Sequence, residues 1–322
     1  MLPRLICAAL VGLALFATGC GDDADTAERA GGSATAQGSG DPSTDKLAQV
    51  LARGTLVLFT DPAYPPQSFG VKGAKRVAQT KCADNELTAP EITGYDAETG
   101  KLVAKALRVE PCFVTPSWTE VTAGNWGDRW DLAYGSGAVE FSRMEALYMT
   151  QPYYSTPTNF FVPGSSTAKT PADLTGKRVG ACTGCTMEKY LRGTLELPGP
   201  RLEQLVDDPE IVTFDTEIPG LKATAKGKVD AFLCSEPVGD EAIATGAELR
   251  KLDVPAYYSN KTGYVDKNAG LDVGPFVARV NEIIAARHAD GTLGRLSKKY
   301  FGKDYAAQAA KFDLKAIGQT VQ

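Results

Sequence analysis

Histidine is nearly absent: His288 is the only one in 322 residues. With that one histidine on a predicted closing helix and a single CxxC pair, Cys182 and Cys185, without a second, a zinc finger of ordinary spacing is excluded, and no His-based catalytic triad is visible. No basic run exceeds a pair, and 34 Lys and Arg stand against 39 Asp and Glu for a net charge of −5. A nucleic-acid surface needs clustered cations, so that class is set aside. There is also no phosphate loop and no nucleophile elbow. The N-terminal apolar run, residues 5–16, is too short to span a bilayer stably. What is present, 43% hydrophobic and 23% charged residues, suffices for a sizeable core. The length favours two lobes over one ordinary domain.

Arg4, the apolar run and the small residues Ala17, Thr18 and Gly19 before Cys20 read as a secretory signal, residues 1–19, with a processing site. The last four also resemble a lipobox, which implies cleavage before Cys20, lipid on its thiol and retention at the outer face of a membrane. The alternative is a plain signal with an incidental Cys20. Residues 20–45 then form the lipidated start and a tether, because Gly, Ala, Ser, Thr, Asp and Gln dominate without apolar period. Export places Cys82, Cys112, Cys182, Cys185 and Cys234 in an oxidising compartment as an odd set, so at least one is unpaired or unusually paired.

Leu47, Val50 and Leu51 recur at helical spacing after the capping candidates Ser43 and Thr44, and Gly54 stops the helix. A short apolar strand, residues 55–60, runs into a Pro-rich loop at its carboxyl end, where open α/β sheets meet ligands. Beyond it strands and helices alternate: a helix at 97–107, strands near Cys112 and Leu132 and at 160–162, strand–helix units at 177–195 and 211–225, a strand at 230–233, a helix at 239–245, and closing helices at 276–289 and 293–300. Such alternation predicts an α/β fold with a mostly parallel sheet and no internal repeat.

The segments GTLVLFTDPAYPPQSF, GYDAETGKLVAKAL, WDLAYGSGAVEFSRMEALYMTQPYY, DLTGKRVGACTGCTMEKYL, GKVDAFLCSEPV and DGTLGRLSKKYFG, in this order, resemble solute-binding protein family 3, the binding components of polar amino-acid ABC importers. The step from Asp131 to Arg143 matches that pattern in register. The resemblance implies a two-lobed periplasmic-binding-protein type 2 fold with two hinge crossings: residues 46–152 and 256–322 in one lobe and 153–255 in the other. It further implies a small polar ligand in the cleft and an ABC transporter permease as partner; a monomer without cofactor is expected, and the missing catalytic motifs point away from an enzyme.

By the same resemblance Arg143 takes the ligand's carboxylate through its planar fork, unless it only forms a salt bridge with Glu140 or Glu145. Gly135, Ser136 and Gly137 offer backbone groups or merely make a turn. Thr186 opens a helix where unpaired N–H groups favour an anion, or caps it. Tyr64 and Trp118 match an aromatic wall, Trp118 otherwise serving the core. Asp61 accepts from a ligand ammonium or caps the Pro-rich turn. Three departures bear on the ligand: Glu140 in place of a Thr, Gln67 in place of a Phe, and Ser235 in place of the Asp that holds an α-amino group, followed by Glu236. A buried ammonium needs a carboxylate, so either Glu236 substitutes or the ligand lacks an α-amino group.

Cys182, Cys185 and Cys234 are expected to converge near the cleft, with a disulfide from Cys234 to Cys182 or Cys185 and another between Cys82 and Cys112. Two rival readings remain open at this point. In one, the three thiols, with Glu140 or Glu236, hold a soft metal or metal complex. In the other, Glu140 or Glu236 serves as acid or base in a cleft enzyme, as in a dehydratase of the same fold.

Overall fold

The computed structural model describes residues 40–319, so the signal segment 1–19, Cys20 and most of the tether lie outside the described residues. The first half of the chain runs α1 (Lys46–Arg53), β1 (Thr55–Phe59), β2 (Ala63–Tyr64), β3 (Ser68–Gly70), β4 (Leu87–Thr88), β5 (Ile92–Thr93), α2 (Tyr95–Leu107), β6 (Glu110–Val114), α3 (Trp118–Ala123), β7 (Leu132–Ala138), β8 (Leu147–Met149) and β9 (Tyr154–Pro163). It continues through β10 (Arg178–Cys182), α4 (Thr186–Leu191), β11 (Glu210–Phe214), α5 (Glu217–Ala225), β12 (Ala231–Ser235), α6 (Glu236–Ala244), β13 (Leu249–Lys251) and β14 (Tyr257–Asp266), and closes with α7 (Gly274–Ala289), α8 (Thr292–Phe301) and α9 (Ala306–Ala309).

Helix α1 starts one residue after the expected caps: Asp45, not Ser43 or Thr44, accepts from the Ala48 N–H. It ends at Gly54, whose φ of 74° is the left-handed turn that glycine adopts without Cβ strain. Strand β1 is buried at every position, as a strand covered on both faces must be. Leu56 and Leu58 pack with Tyr95, Phe113 and Phe276 on one face. Val57 and Phe59 pack with Cys112, Trp126 and Trp130 on the other.

Eleven strands make one mixed sheet in the order β11-β10-β12-β9-β14-β7-β1-β6-β4, with β13 added to β9 and β8 to β14. Strand β1 is parallel to β6 and β7, and β10 is parallel to β11 and β12. Between these parallel groups lie β9 and β14, ten residues each and antiparallel, with Tyr257 opposite Thr158 and Lys261 opposite Tyr154. The chain passes from one half of the sheet to the other in β9 and returns in β14. No helix among the described residues is long and apolar enough to cross a membrane.

Cys82 and Cys112 form a disulfide, as expected. The expected bridge from Cys234 does not form. Cys182 bonds to Cys185 instead, and Cys234 is a free, buried thiol. The reason is strand alternation: Leu233 packs with Cys182 and Cys185, so its neighbour Cys234 points to the opposite face of the sheet, among Phe161, Phe232 and Val238. The same geometry keeps the three sulfurs from acting together as metal ligands.

Candidate functional site

A cavity of about 470 Å³ opens where the carboxyl ends of both parallel groups face each other. From the first half come Phe59, Asp61, Tyr64, Trp118, Gly135, Ser136 and Arg143; from the second come Cys182, Cys185, Thr186, Asp215 and Glu217; Lys261 comes from β14. Strands deliver these residues because each βα turn projects its first side chains past the sheet edge.

Arg143 sits in the short 3-10 turn after β7, and its side chain is 5% exposed. Its Nε pairs with Glu140 at 3.1 Å, Nη1 donates to the Tyr264 hydroxyl at 2.9 Å, and Nη2 donates to the Gly184 carbonyl of the other half at 3.3 Å. The guanidinium stands 5.3 Å over the Trp118 ring. The pair with Glu140 is therefore buried rather than superficial. Arg143 keeps its proton more firmly than usual, since Tyr264 and Glu140 outweigh its burial. Glu140 itself is not part of the cavity wall: it binds Arg143 on one side and Lys189 of the second half on the other. Burial alone would raise its carboxyl, but Arg143 and Lys189 bring it below the ordinary range.

Gly135 and Ser136 line the cavity, whereas Gly137 does not. A Cβ at Gly137 would lie 2.4 Å from the Tyr264 ring, so that glycine serves the close approach of the tyrosine that holds Arg143. Ser136 adopts φ 58°, and its Oγ donates to Asp96 at 2.6 Å. Asp61 lies at the turn, its Oδ1 accepting from the Ala63 N–H at 2.8 Å, and burial raises its carboxyl. Thr186 is the first residue of α4, and its Oγ1 accepts from Tyr257 at 3.1 Å.

Ser235 and Glu236 lie outside the cavity wall. Ser235 is buried at the N-terminus of α6. Glu236 is committed to Lys251 at 2.9 Å, to Lys303 at 2.7 Å and to the Tyr305 hydroxyl, and these partners hold it at about 2 despite its burial. Beside Asp61 and Asp215, a third carboxylate enters the cavity, Glu217, the first residue of α5. Its Oε2 accepts from the Tyr64 hydroxyl at 2.8 Å, a bond between the two halves. Burial pushes Glu217 upward and Lys261 downward.

The sequence model for bacterial extracellular solute-binding proteins, family 3, matches residues 56–303. The chain belongs to this family. Among relatives, the L-cystine-binding protein TcyJ of Escherichia coli is 25% identical over 260 residues, covering 80% of this chain and 86% of that protein. The ABC transporter arginine-binding protein 1 of E. coli is 24% identical over 261 residues, covering 79% and 97%. Of solved structures, the ancestral amino acid-binding protein AncCDT-1, a precursor of cyclohexadienyl dehydratase, superposes with a TM-score of 0.62 at 21% identity over 79% of this chain and 98% of its own. Tv2483 bound to L-arginine gives 0.65 at 18% over 84% and 99%.

For this family 3 protein, then, the fold and the solute-binding role are established, and the cavity departs from the expected residue list: Gly137, Glu140, Ser235 and Glu236 lie outside its wall, while Glu217 and Lys261, which were not expected, line it. Glu217 was legible in principle: Asp215-Thr216-Glu217 follows a predicted strand directly and opens a helix, the location that singled out Thr186. Lys261 carried no such signal, because β14 mixes polar and apolar residues and reads as loop.

Proposed function

We propose that this protein is the exported, lipid-anchored binding component of an ABC importer and that its solute is an amino-acid-like zwitterion. Residues 46–152 and 256–322 form one lobe and 153–255 the other, closing over ligand as a monomer and presenting the closed form to a permease. Binding involves no bond chemistry. Arg143 takes the carboxylate with the N–H groups its three partners leave free, helped by Ser136 and Thr186. Glu217 and Asp61 take the ammonium in place of the missing Asp at Ser235, and Tyr64 and Trp118 flank the body of the ligand.

The observation that carries this reading is the pairing of a buried guanidinium with a buried carboxylate in one cavity, one from each half. The Tyr64–Glu217 bond across that cavity supports closure by contacts that ligand would strengthen. A thermal-shift screen of the purified chain against amino acids, amines and simple carboxylates tests it. An amino acid at about 100 times its Kd should stabilise by about 2.7 kcal/mol, whereas shifts with amines alone would contradict the carboxylate anchor. Replacing Cys20 by alanine should release the protein from membranes. Unchanged membrane association would contradict the lipid anchor.

A further inference from the structure

The described residues bury three cations almost completely: Lys46 and Lys261 at 2% exposure and Arg143 at 5%. Lys46 pairs with Asp131 at 2.6 Å, and Arg143 pairs with Glu140 at 3.1 Å. Lys261 has neither an ion-pair nor a hydrogen-bond partner among the described residues, and its side chain lines the solute cavity. An ammonium in that position is costly unless something meets it. Neither Glu217 nor Asp96 does: their charges act on Lys261, but the Tyr64 hydroxyl engages Glu217, Ser136 and Tyr153 engage Asp96, and neither carboxylate lies within ion-pair distance of Lys261. On the same face of the sheet, the hydroxyls of Ser259, of Thr156 opposite it and of Ser235 are also buried without partners. These hydroxyls lie behind the cavity wall, so on the wall itself Lys261 stands as a cation without an ion-pair partner, whereas Arg143 is paired with Glu140.

We propose that Lys261 is the specificity-determining cation of this cavity and that the solute is an amino acid carrying a second carboxylate, which Lys261 binds while Arg143 holds the first. This rests on the proposed function and names the solute class within it. A solute with a cationic side chain would leave Lys261 facing like charge, and one with a neutral side chain would leave it unpaired.

The test is isothermal titration of the full chain, and of Lys261→Met, Lys261→Arg and Arg143→Ala, with glutamate, aspartate, cystine, arginine, histidine and alanine. The wild type should bind at least one dicarboxylic amino acid more tightly than arginine, histidine or alanine. Preference for glutamate or aspartate would indicate a single-ammonium solute, and preference for cystine a longer one. Lys261→Met should weaken that binding by roughly 10- to 100-fold, the scale of a lost charge-assisted hydrogen bond, and Lys261→Arg should retain much of it. The ligand-free thermal midpoint of Lys261→Met should equal or exceed that of the wild type, because an unpaired buried charge is removed. Wild-type preference for arginine, histidine or alanine would overturn the inference, as would undiminished dicarboxylate binding by Lys261→Met or a sharply lowered ligand-free midpoint. Indifference of every carboxylate to Arg143→Ala would instead overturn the underlying reading of the site.

Discussion

Replacing Asp96 by asparagine probes the electrostatics beneath the cavity. Asp96 is fully buried at the start of α2, with Oδ2 accepting from Ser136 Oγ at 2.6 Å and Oδ1 from the Tyr153 hydroxyl at 2.8 Å. Burial outweighs these bonds and raises the carboxyl from 3.8 to about 7. At about 1.4 kcal/mol per pH unit, ionising it within the fold costs on the order of 4 kcal/mol. The folded pKa lies above the unfolded one, so the wild type has this contribution in full below about pH 4 and loses it as pH rises through about 7. The asparagine has the same size and no proton to lose. Urea unfolding of both proteins between about pH 4 and pH 8 should therefore show the stability difference moving toward the variant by roughly 3–4 kcal/mol as pH rises. Taking the difference cancels Glu217, which titrates in the same direction. A difference that is flat, or that moves toward the wild type, refutes the reasoning.

The two disulfides should contribute unequally. The bridge between Cys82 and Cys112 spans 30 residues, so replacing both by serine should destabilise by roughly 3–4 kcal/mol, against roughly 2 for the pair Cys182 and Cys185, which spans 3; equal losses in urea unfolding would contradict this ordering. Glu236→Gln should cost on the order of 2 kcal/mol near neutral pH, because Lys251, Lys303 and Tyr305 lose their charged acceptor. With its folded carboxyl held at about 2, below the ordinary 4.5, that loss should fade as pH falls through this interval, and a gap constant down to about pH 2 would contradict the assignment.

How much of this was legible in sequence depended on how much of the information is local. Helix α1, strand β1 and helices α7 and α8 follow from apolar period and punctuation, and their bounds agree with expectation within a few residues. Strand β14 was missed because YYSNKTGYVD has no clean alternation; its pairing with β9, β7 and β8 forms it, and those partners are distant in sequence. The same missing strand hid Lys261. Arg143, Tyr64, Asp61, Ser136 and Thr186 lie in the segments that resemble the family, Trp118 between two of them matches the family's aromatic wall, and all six line one cavity. Glu236 was weighed as the substitute carboxylate from its adjacency to Ser235, yet it begins a helix whose neighbours are Lys251 and Lys303, and no local rule reveals such partners. Cys234 failed for a related reason: closeness of strands does not set which face a side chain takes.

The most direct test of the central claim is the affinity of the Arg143→Ala variant, measured by titration calorimetry with the amino acid that the wild type binds best. Loss of the bidentate carboxylate anchor predicts a weakening of roughly 100-fold or more with the far-ultraviolet circular dichroism of a folded chain retained. A variant that binds as tightly as the wild type would contradict the account of this cavity as a zwitterion site.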